Sequence, residues 1–204
     1  MEYRQTADAL LSTLQAWDEL IPGKGKIRLI ACGGTALTLL GYKESTKDVD
    51  FLIPEIAEHE RLTRFLQNAG YAQVGGYKWR RKGEFLEFDL FPGSRVFMTE
   101  LMRSPLEKGG HRLIREFDKI HLGVLNSFDW LITKLARGSE ADYQDCLALL
   151  RNEKVDWPKF SDFYAEAAKY SINFGIEEDK ARKNLELLEM RMKKEGIYDS
   201  AHKK

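Results

Sequence analysis

The stretch that most constrains the fold runs from residue 29 to residue 54, LIACGGTALTLLGYKESTKDVDFLIP. An apolar run typical of a buried strand stops at two glycines, and residues 35 to 41 follow with the spacing of a short helix. Asp48 and Asp50 then open a second apolar run, which Pro54 closes. The pattern predicts a strand, a glycine turn, a short helix and a second strand that begins with two carboxylates.

These two carboxylates indicate a cation site. Side chains two residues apart on a strand share a face, so Asp48 and Asp50 project together and repel. A divalent ion removes the repulsion, because Mg²⁺ takes oxygen ligands from one or two carboxylates and from substrate phosphates. Asp89, in EFLEFDLF, is the expected third ligand, since an unpaired carboxylate between apolar neighbours is costly. Glu87 shares its face, and the pattern does not separate the two.

The glycine pair indicates phosphate binding. Gly33 and Gly34 allow the backbone to approach a phosphate, and the start of the following helix offers N–H groups to it. Thr35 suits either a helix cap or a hydroxyl donor to a phosphate. Taken singly, each of these motifs also has an ordinary structural explanation: a turn, a Thr helix cap or a charge on an edge strand.

In this order, the motifs resemble the signature of the DNA polymerase beta-like nucleotidyltransferase superfamily. That signature is a glycine pair followed by Ser or Thr, a spacer, two acidic residues one apart, and a third acidic residue on a later strand. The resemblance covers about residues 25 to 92 and implies an α+β nucleotidyltransferase fold, with a small mixed β-sheet flanked by helices. The matching residues are Gly33, Gly34, Thr35, Asp48, Asp50 and Asp89.

The resemblance also implies a site. An NTP would bind at the glycine turn, and Mg²⁺ or Mn²⁺ would be held by carboxylates that also serve catalysis. The implied catalytic and metal-binding residues are Asp48, Asp50 and Asp89.

A second resemblance is to the nucleotidyltransferase-like toxins of abortive-infection (type IV toxin–antitoxin) systems and their uncharacterised relatives. KESTKDVDFLI is similar to their Arg-x-x-Thr-x-Asp-x-Asp form, with Lys43 where Arg is more usual, and it implies a nucleotide-binding role for Thr46. KLARGSEADYQDCLAL is similar to their downstream pattern and implies nucleotide binding by Lys134 and Arg137, one helical turn apart. A solvated helix face with weak ion pairs has the same spacing. The roles of Asp142 and Asp145 stay open.

The remaining periodicity predicts the other elements and two domains. Helices are expected over 4–20 and 55–69, the second with Ile56 inward, and a hairpin is expected across Lys82-Gly83. Residues 114–125 are expected to form one further strand segment. The chain reads as helical from Ser127 onward, with Ser139 and Asp142 forming a capping box. The predicted domains are an α/β core, 1–126, and a C-terminal helical bundle, 127–204.

Composition excludes some classes of function. Thirty-two basic and 32 acidic residues give a net charge of zero, which argues against a dedicated duplex-DNA binder. The basic hairpin YKWRRKG suits single-stranded nucleic acid, or simply an edge strand protected from aggregation. No apolar run has the length of a membrane helix, so no membrane association is expected. Two cysteines without metal-ligand spacing predict reduced thiols and a cytoplasmic location.

The sequence therefore predicts a Mg²⁺-dependent nucleotidyltransferase that moves an NMP from an NTP to a hydroxyl. The acceptor, a tRNA, a protein or a small molecule, stays open. An antitoxin-type partner protein is expected if the toxin resemblance holds. The alternative is a catalytically inactive member of the fold that binds a nucleotide or a partner.

Overall fold

The computed structural model of the chain describes residues 4–171 and 178–197. Helices and strands alternate up to residue 68, strands follow one another up to residue 125, and helices come after them. The helices are α1 (Ala7–Leu20), α2 (Gly33–Leu39), α3 (Ile56–Asn68), α4 (Ser127–Arg137), α5 (Glu140–Asn152), α6 (Trp157–Ser171) and α7 (Glu178–Lys194). The strands are β1 (Ile27–Ala31), β2 (Val49–Ile53), β3 (Tyr71–Gly75), β4 (Lys78–Arg81), β5 (Glu87–Pro92), β6 (Arg95–Val96), β7 (Thr99–Glu100), β8 (His111–Glu116) and β9 (Ile120–Leu125).

Seven of the strands form one mixed sheet in the order β3-β4-β5-β2-β1-β9-β8. The β2–β5 and β1–β9 pairs are parallel, and the β1–β2 pair at the centre is antiparallel. Every residue of β2 is buried, as expected for a strand covered on both faces. The predicted α+β class, a mixed sheet with flanking helices, is confirmed.

The carboxylate of Asp18, near the end of α1, fixes the turn between β8 and β9. Asp18 is buried and accepts hydrogen bonds from the backbone N–H groups of Asp118, Lys119 and Ile120, at 3.2, 2.6 and 2.8 Å. Residues 114–125, predicted to hold one strand segment, contain this turn, so that prediction is wrong: two strands pair there as an antiparallel hairpin. Three backbone donors on one carboxylate explain why the chain reverses at this point.

One other sequence expectation fails, and one strand was not expected. Ile56, expected to face inward, is the first residue of α3 and is 54% exposed. The segment Tyr71–Gly75, which lacks an alternating apolar pattern, forms the edge strand β3 against β4. Cross-strand pairing, and not local propensity, therefore decides this strand.

The chain divides into two compact units. One comprises Met1–Arg95 and Arg103–Leu125, and the other comprises Val96–Met102 and Asn126–Lys204. Within the second, α4 ends at Gly138, and α5 begins with the predicted capping box of Ser139 and Asp142, which is confirmed. The domains 1–126 and 127–204 remain a prediction. Among the described residues, no helix combines the length and the apolar character needed to cross a membrane.

Candidate active site

The glycine turn places the backbone at the start of α2 against the carboxylate of Asp50. The two glycines lie in the first turn of α2, whereas the sequence predicted a helix that starts after them. Gly33 has φ +55°, and a Cβ atom added there would lie 2.2 Å from Oδ2 of Asp50. That distance is far inside van der Waals contact, so only glycine lets α2 start this close to the Asp50 carboxylate.

Thr35 connects this turn to the start of β2. Its Oγ1 accepts a hydrogen bond from the backbone N–H of Asp50 at 2.8 Å and donates to the carbonyl oxygen of Asp48 at 3.3 Å. Thr35 is fully buried and does not cap α2, whose N-cap is Cys32. The hydroxyl therefore fixes the backbone that carries both aspartates.

Thr46 lies against the second glycine. A Cβ atom added at Gly34 would be 2.6 Å from Oγ1 of Thr46, and that hydroxyl donates to the carbonyl oxygen of Asp48 at 2.8 Å. Backbone hydrogen bonds with Gln5 hold Thr46 from the other side. The structure thus brings together Gly34, Thr46 and Asp48, which the sequence placed in one nucleotide site.

The acidic residues form a row across two parallel strands. Asp50 of β2 is the direct register partner of Asp89 of β5, and neighbouring strands lie about 4.8 Å apart. Asp50 is 6% exposed, whereas the Asp48 side chain, at the open end of the row, is 53% exposed. Glu87 precedes Asp89 by two residues and shares its face. We call Asp48, Asp50, Glu87 and Asp89 the acidic row.

Burial and like charge act together on Asp89. Burial raises the pKa of the Asp89 carboxyl, the ammonium of Lys78 opposes the rise, and the charges of Asp48 and Glu87 add to it. The ionised form of Asp89 is therefore costly in the protein alone. A carboxylate held at such a cost is stabilised by any cation that enters the row.

Lys78 is the residue that sequence reasoning missed. It stands on β4 opposite Asp89, and its Nζ lies 2.9 Å from Oε2 of Glu87 and 3.6 Å from Oδ1 of Asp48. Arg80 reaches Glu87 from the same strand, at 3.1 Å. The hydrogen bond from Lys78 lowers the pKa of Glu87, with burial opposing it. The sequence showed Lys78 only as part of a basic hairpin, because its partner depends on the register of three strands.

The donor set fits a magnesium ion that also binds substrate phosphates. In the parts of the chain that the structure describes, no three His, Cys, Asp or Glu side chains are already gathered around a metal position. Mg²⁺ needs only one or two protein carboxylates when phosphates and water complete its shell. Asp50 and Asp89 supply two carboxylates in register, and the carboxylate of Asp50 lies directly against Gly33.

Lys134 and Arg137, which the sequence predicted to bind nucleotide, form ion pairs with aspartates of α5 within the second unit. Nζ of Lys134 lies 2.6 Å from Oδ2 of Asp145 and 3.3 Å from Oδ1 of Asp142. Arg137 reaches the same Oδ1 of Asp142 at 2.6 Å. The Lys134 side chain is 5% exposed, whereas that of Arg137 is 38% exposed. These contacts account for Asp142 and Asp145, and nucleotide binding by Lys134 and Arg137 stays a prediction.

Comparison of the sequence with known families places the chain in the nucleotidyltransferase class. Residues 8–196 match the sequence model of a family described as "Nucleotidyltransferase of unknown function (DUF6036)", and the chain belongs to that family.

The fold is similar to one solved structure in particular, an antigenic nucleotidyltransferase-like protein from Paracoccidioides brasiliensis. The TM-score is 0.55 with 15% identity, over 97% of this chain and 95% of that one. At this identity the likeness concerns the fold alone. No curated protein matches the sequence. Family and fold thus support the nucleotidyltransferase class, and the toxin resemblance stays a prediction.

Proposed function

We propose that the protein is a Mg²⁺-dependent nucleotidyltransferase, which moves an NMP from an NTP to a hydroxyl acceptor and releases pyrophosphate. One observation carries the proposal: Asp50 and Asp89 are register partners on parallel strands, directly beside the glycine turn that Asp50 itself contacts. Paired carboxylates next to a glycine turn suit the cation and the phosphates of one substrate.

Each residue of the site has a role that its geometry supports. Asp48, Asp50 and Asp89 would hold Mg²⁺ or Mn²⁺, which when bound offsets phosphate charge and lowers the pKa of a coordinated hydroxyl. Gly33 and Gly34 would contact the phosphates through the backbone, which is partly exposed at Gly34 and buried against Asp50 at Gly33. Thr35 and Thr46 hold the Asp48 carbonyl and so orient the start of β2.

Asp89 is the better third carboxylate, and Glu87 the poorer one. Glu87 already binds both Lys78 and Arg80, and its pKa is lowered. Asp89 has a raised pKa, caused first by burial, so it is the carboxylate better suited to accept a proton from the attacking hydroxyl.

Label transfer tests the proposal. The protein is incubated with each α-labelled NTP, Mg²⁺ or Mn²⁺ and a cell lysate, and label is measured in RNA, protein and small-molecule fractions. We expect Asp50→Asn and Asp89→Asn to abolish transfer while their thermal unfolding stays cooperative. Glu87→Gln is the matched control and retains transfer. Full labelling by Asp50→Asn would refute the proposal.

The labelled fraction identifies the acceptor class, a tRNA end, a protein hydroxyl or a small molecule. We further propose that the enzyme acts in the cytoplasm, where its buried Cys32 and Cys146 stay reduced, as a toxin with an antitoxin-type partner. The support is the resemblance of KESTKDVDFLI and KLARGSEADYQDCLAL to such toxins. Growth arrest on expression, lost in Asp50→Asn, is the expected outcome; unimpaired growth would contradict the toxin role.

For the helical residues, accessibility favours Arg137 over Lys134 as a phosphate contact. Lys134 is buried between two aspartates, whereas the Arg137 side chain is 38% exposed. We expect Arg137→Met to raise the dissociation constant for NTP while its thermal unfolding stays cooperative. An unchanged NTP dissociation constant in Arg137→Met would remove this residue from the site.

A second candidate function is nucleotide binding without transfer. It is favoured by the ammonium of Lys78, which lies between Glu87 and Asp48 where the metal is expected. Mg²⁺-dependent thermal stabilisation by NTPs, with no label in any fraction, is the result that would support it over the transferase.

A further inference from the structure

The acidic row contains a cation of its own. The pairing of β4 with β5 sets Lys78 opposite Asp89, and the side chain extends along the row to Glu87, at 2.9 Å, and Asp48, at 3.6 Å. One ammonium thus serves carboxylates from two strands. The Lys78 side chain is 33% exposed, so solvent, ions and substrate reach it.

The ammonium solves the same electrostatic problem as a metal ion. The carboxylates of Asp50, Glu87 and Asp89 on adjacent strands, and that of Asp48 just before β2, repel one another, and a positive charge between them offsets part of that repulsion. The hydrogen bond with Glu87 raises the pKa of Lys78, burial opposes the rise, and Asp89 and Asp48 add to it, so the group stays charged at neutral pH.

The ammonium of a lysine can also move away from the carboxylates that it binds. Its ammonium is a compact charge on a flexible four-carbon stem, unlike the planar guanidinium of Arg80. The exposed Asp48 contact, at 3.6 Å, is longer than the Glu87 contact, so the Asp48 end is the one that an incoming ion opens first.

We propose that Lys78 is a displaceable counter-ion of the acidic row, which neutralises the row in the metal-free protein and competes with the divalent cation for Asp48. The inference rests on the proposed function only in taking the row as the metal site. It makes metal entry unfavourable without nucleotide, because the displaced ammonium then has no phosphate to bind.

Manganese binding without nucleotide tests the proposal. Free Mn²⁺ is measured by its electron paramagnetic resonance signal in titrations of the metal-free protein, Lys78→Met and Arg80→Met. Arg80 is the matched control, since it is a cation on the same strand and face that also binds Glu87. We expect Lys78→Met to bind Mn²⁺ about tenfold more tightly than the parent, the effect of removing a unit charge a few ångströms from a dication. Arg80→Met should change the affinity much less.

Thermal unfolding supplies an independent measurement. In EDTA, Lys78→Met should melt below the parent, because the row has lost its counter-ion, and Mn²⁺ should raise its Tm by more than it raises that of the parent. Lys78→Gln replaces the Met variant if the latter lacks a cooperative transition.

Mn²⁺ affinity that is unchanged or weaker in the Lys78 variants, or equally raised in Arg80→Met, would overturn the counter-ion role. No nucleotide or acceptor is present in the titration. A failure of label transfer therefore leaves this result standing, and a failure of this result leaves the transferase proposal standing.

Discussion

Gly33 is the residue at which backbone conformation and site chemistry meet. Its φ of +55° and the 2.2 Å that would separate a Cβ atom from the Asp50 carboxylate oxygen both exclude a side chain. We expect Gly33→Ala to lower the free energy of unfolding by about 1–3 kcal/mol. Because the carboxylate must move, label transfer should fall by about a hundredfold.

Gly41 provides the matched control for this substitution. It has a similar left-handed φ of +74°, but an added Cβ atom would have nothing within 4 Å. Gly41→Ala should therefore show the backbone strain alone, with transfer retained. For both variants, the free energy of unfolding is measured in urea and activity is measured as the initial rate of label transfer. Equal loss of transfer in the two would show that the contact with Asp50 is irrelevant to the site.

Individual site residues could be recognised from the sequence where the signal was local. The two-residue spacing placed Asp48 and Asp50 on one face, and the alternation of EFLEFDLF placed Asp89 and Glu87 on another. These two faces are the same face of the sheet because β2 pairs in parallel with β5. The local sequence patterns do not determine that pairing. Lys78 enters the row through the antiparallel pairing of β4 with β5, and its contact with Asp48 requires the β2–β5 pairing as well, so no local pattern could identify it.

At the scale of elements, Asp18 links the end of α1 to the β8–β9 turn through three backbone donors. Asp18→Ala leaves those N–H groups without their acceptor, and we expect a loss of about 2–3 kcal/mol in the free energy of unfolding. Amide exchange at residues 118–120 should rise in the same variant.

Asp8 is the control for this element, since it is an exposed acid in the first turn of the same helix. Asp8→Ala should lower stability by only a few tenths of a kcal/mol, through the helix dipole. If the two variants unfold at the same urea concentration, the Asp18 hydrogen bonds do not stabilise the turn.

The elements that the sequence predicted well have capping residues at their ends that can be recognised locally. The capping box of Ser139 with Asp142 depends on residues three positions apart and was found as expected, directly after α4 ends at Gly138. Residues 114–125 failed because the turn is set by Asp18, about a hundred positions away. Long-range hydrogen bonds of this kind have no local signature.

For the whole molecule, acid stability follows from the first turn of α5. Burial opposes ionisation of Asp142, but hydrogen bonds from Arg137 and Ser139 outweigh it and lower its pKa below the ordinary 3.8. The hydrogen bond from Arg191 lowers the pKa of Glu140 to about 2. Folded pKa values below the unfolded ones give stability that is present above the unfolded values and lost as the pH falls through the folded ones.

We therefore expect the stability of the protein to fall as the pH drops from about 4.5 towards 2, with Asp142→Asn showing a shallower dependence there and a lower stability at pH 7. Thermal unfolding at half-unit steps of pH measures both curves. Parallel curves for the parent and the variant would show that Asp142 does not contribute to acid unfolding.

The parallel pairing of β2 with β5 also has a consequence for the newly made chain. Asp50 and Asp89 are joined by α3, β3 and β4, so a nascent polypeptide that has reached only β4 has the glycine turn and the first two aspartates but not their partner. Contacts between positions so distant along the chain form late in folding. The acidic row is completed only after β5 has left the ribosome and paired, so the nascent chain lacks the complete row up to that point.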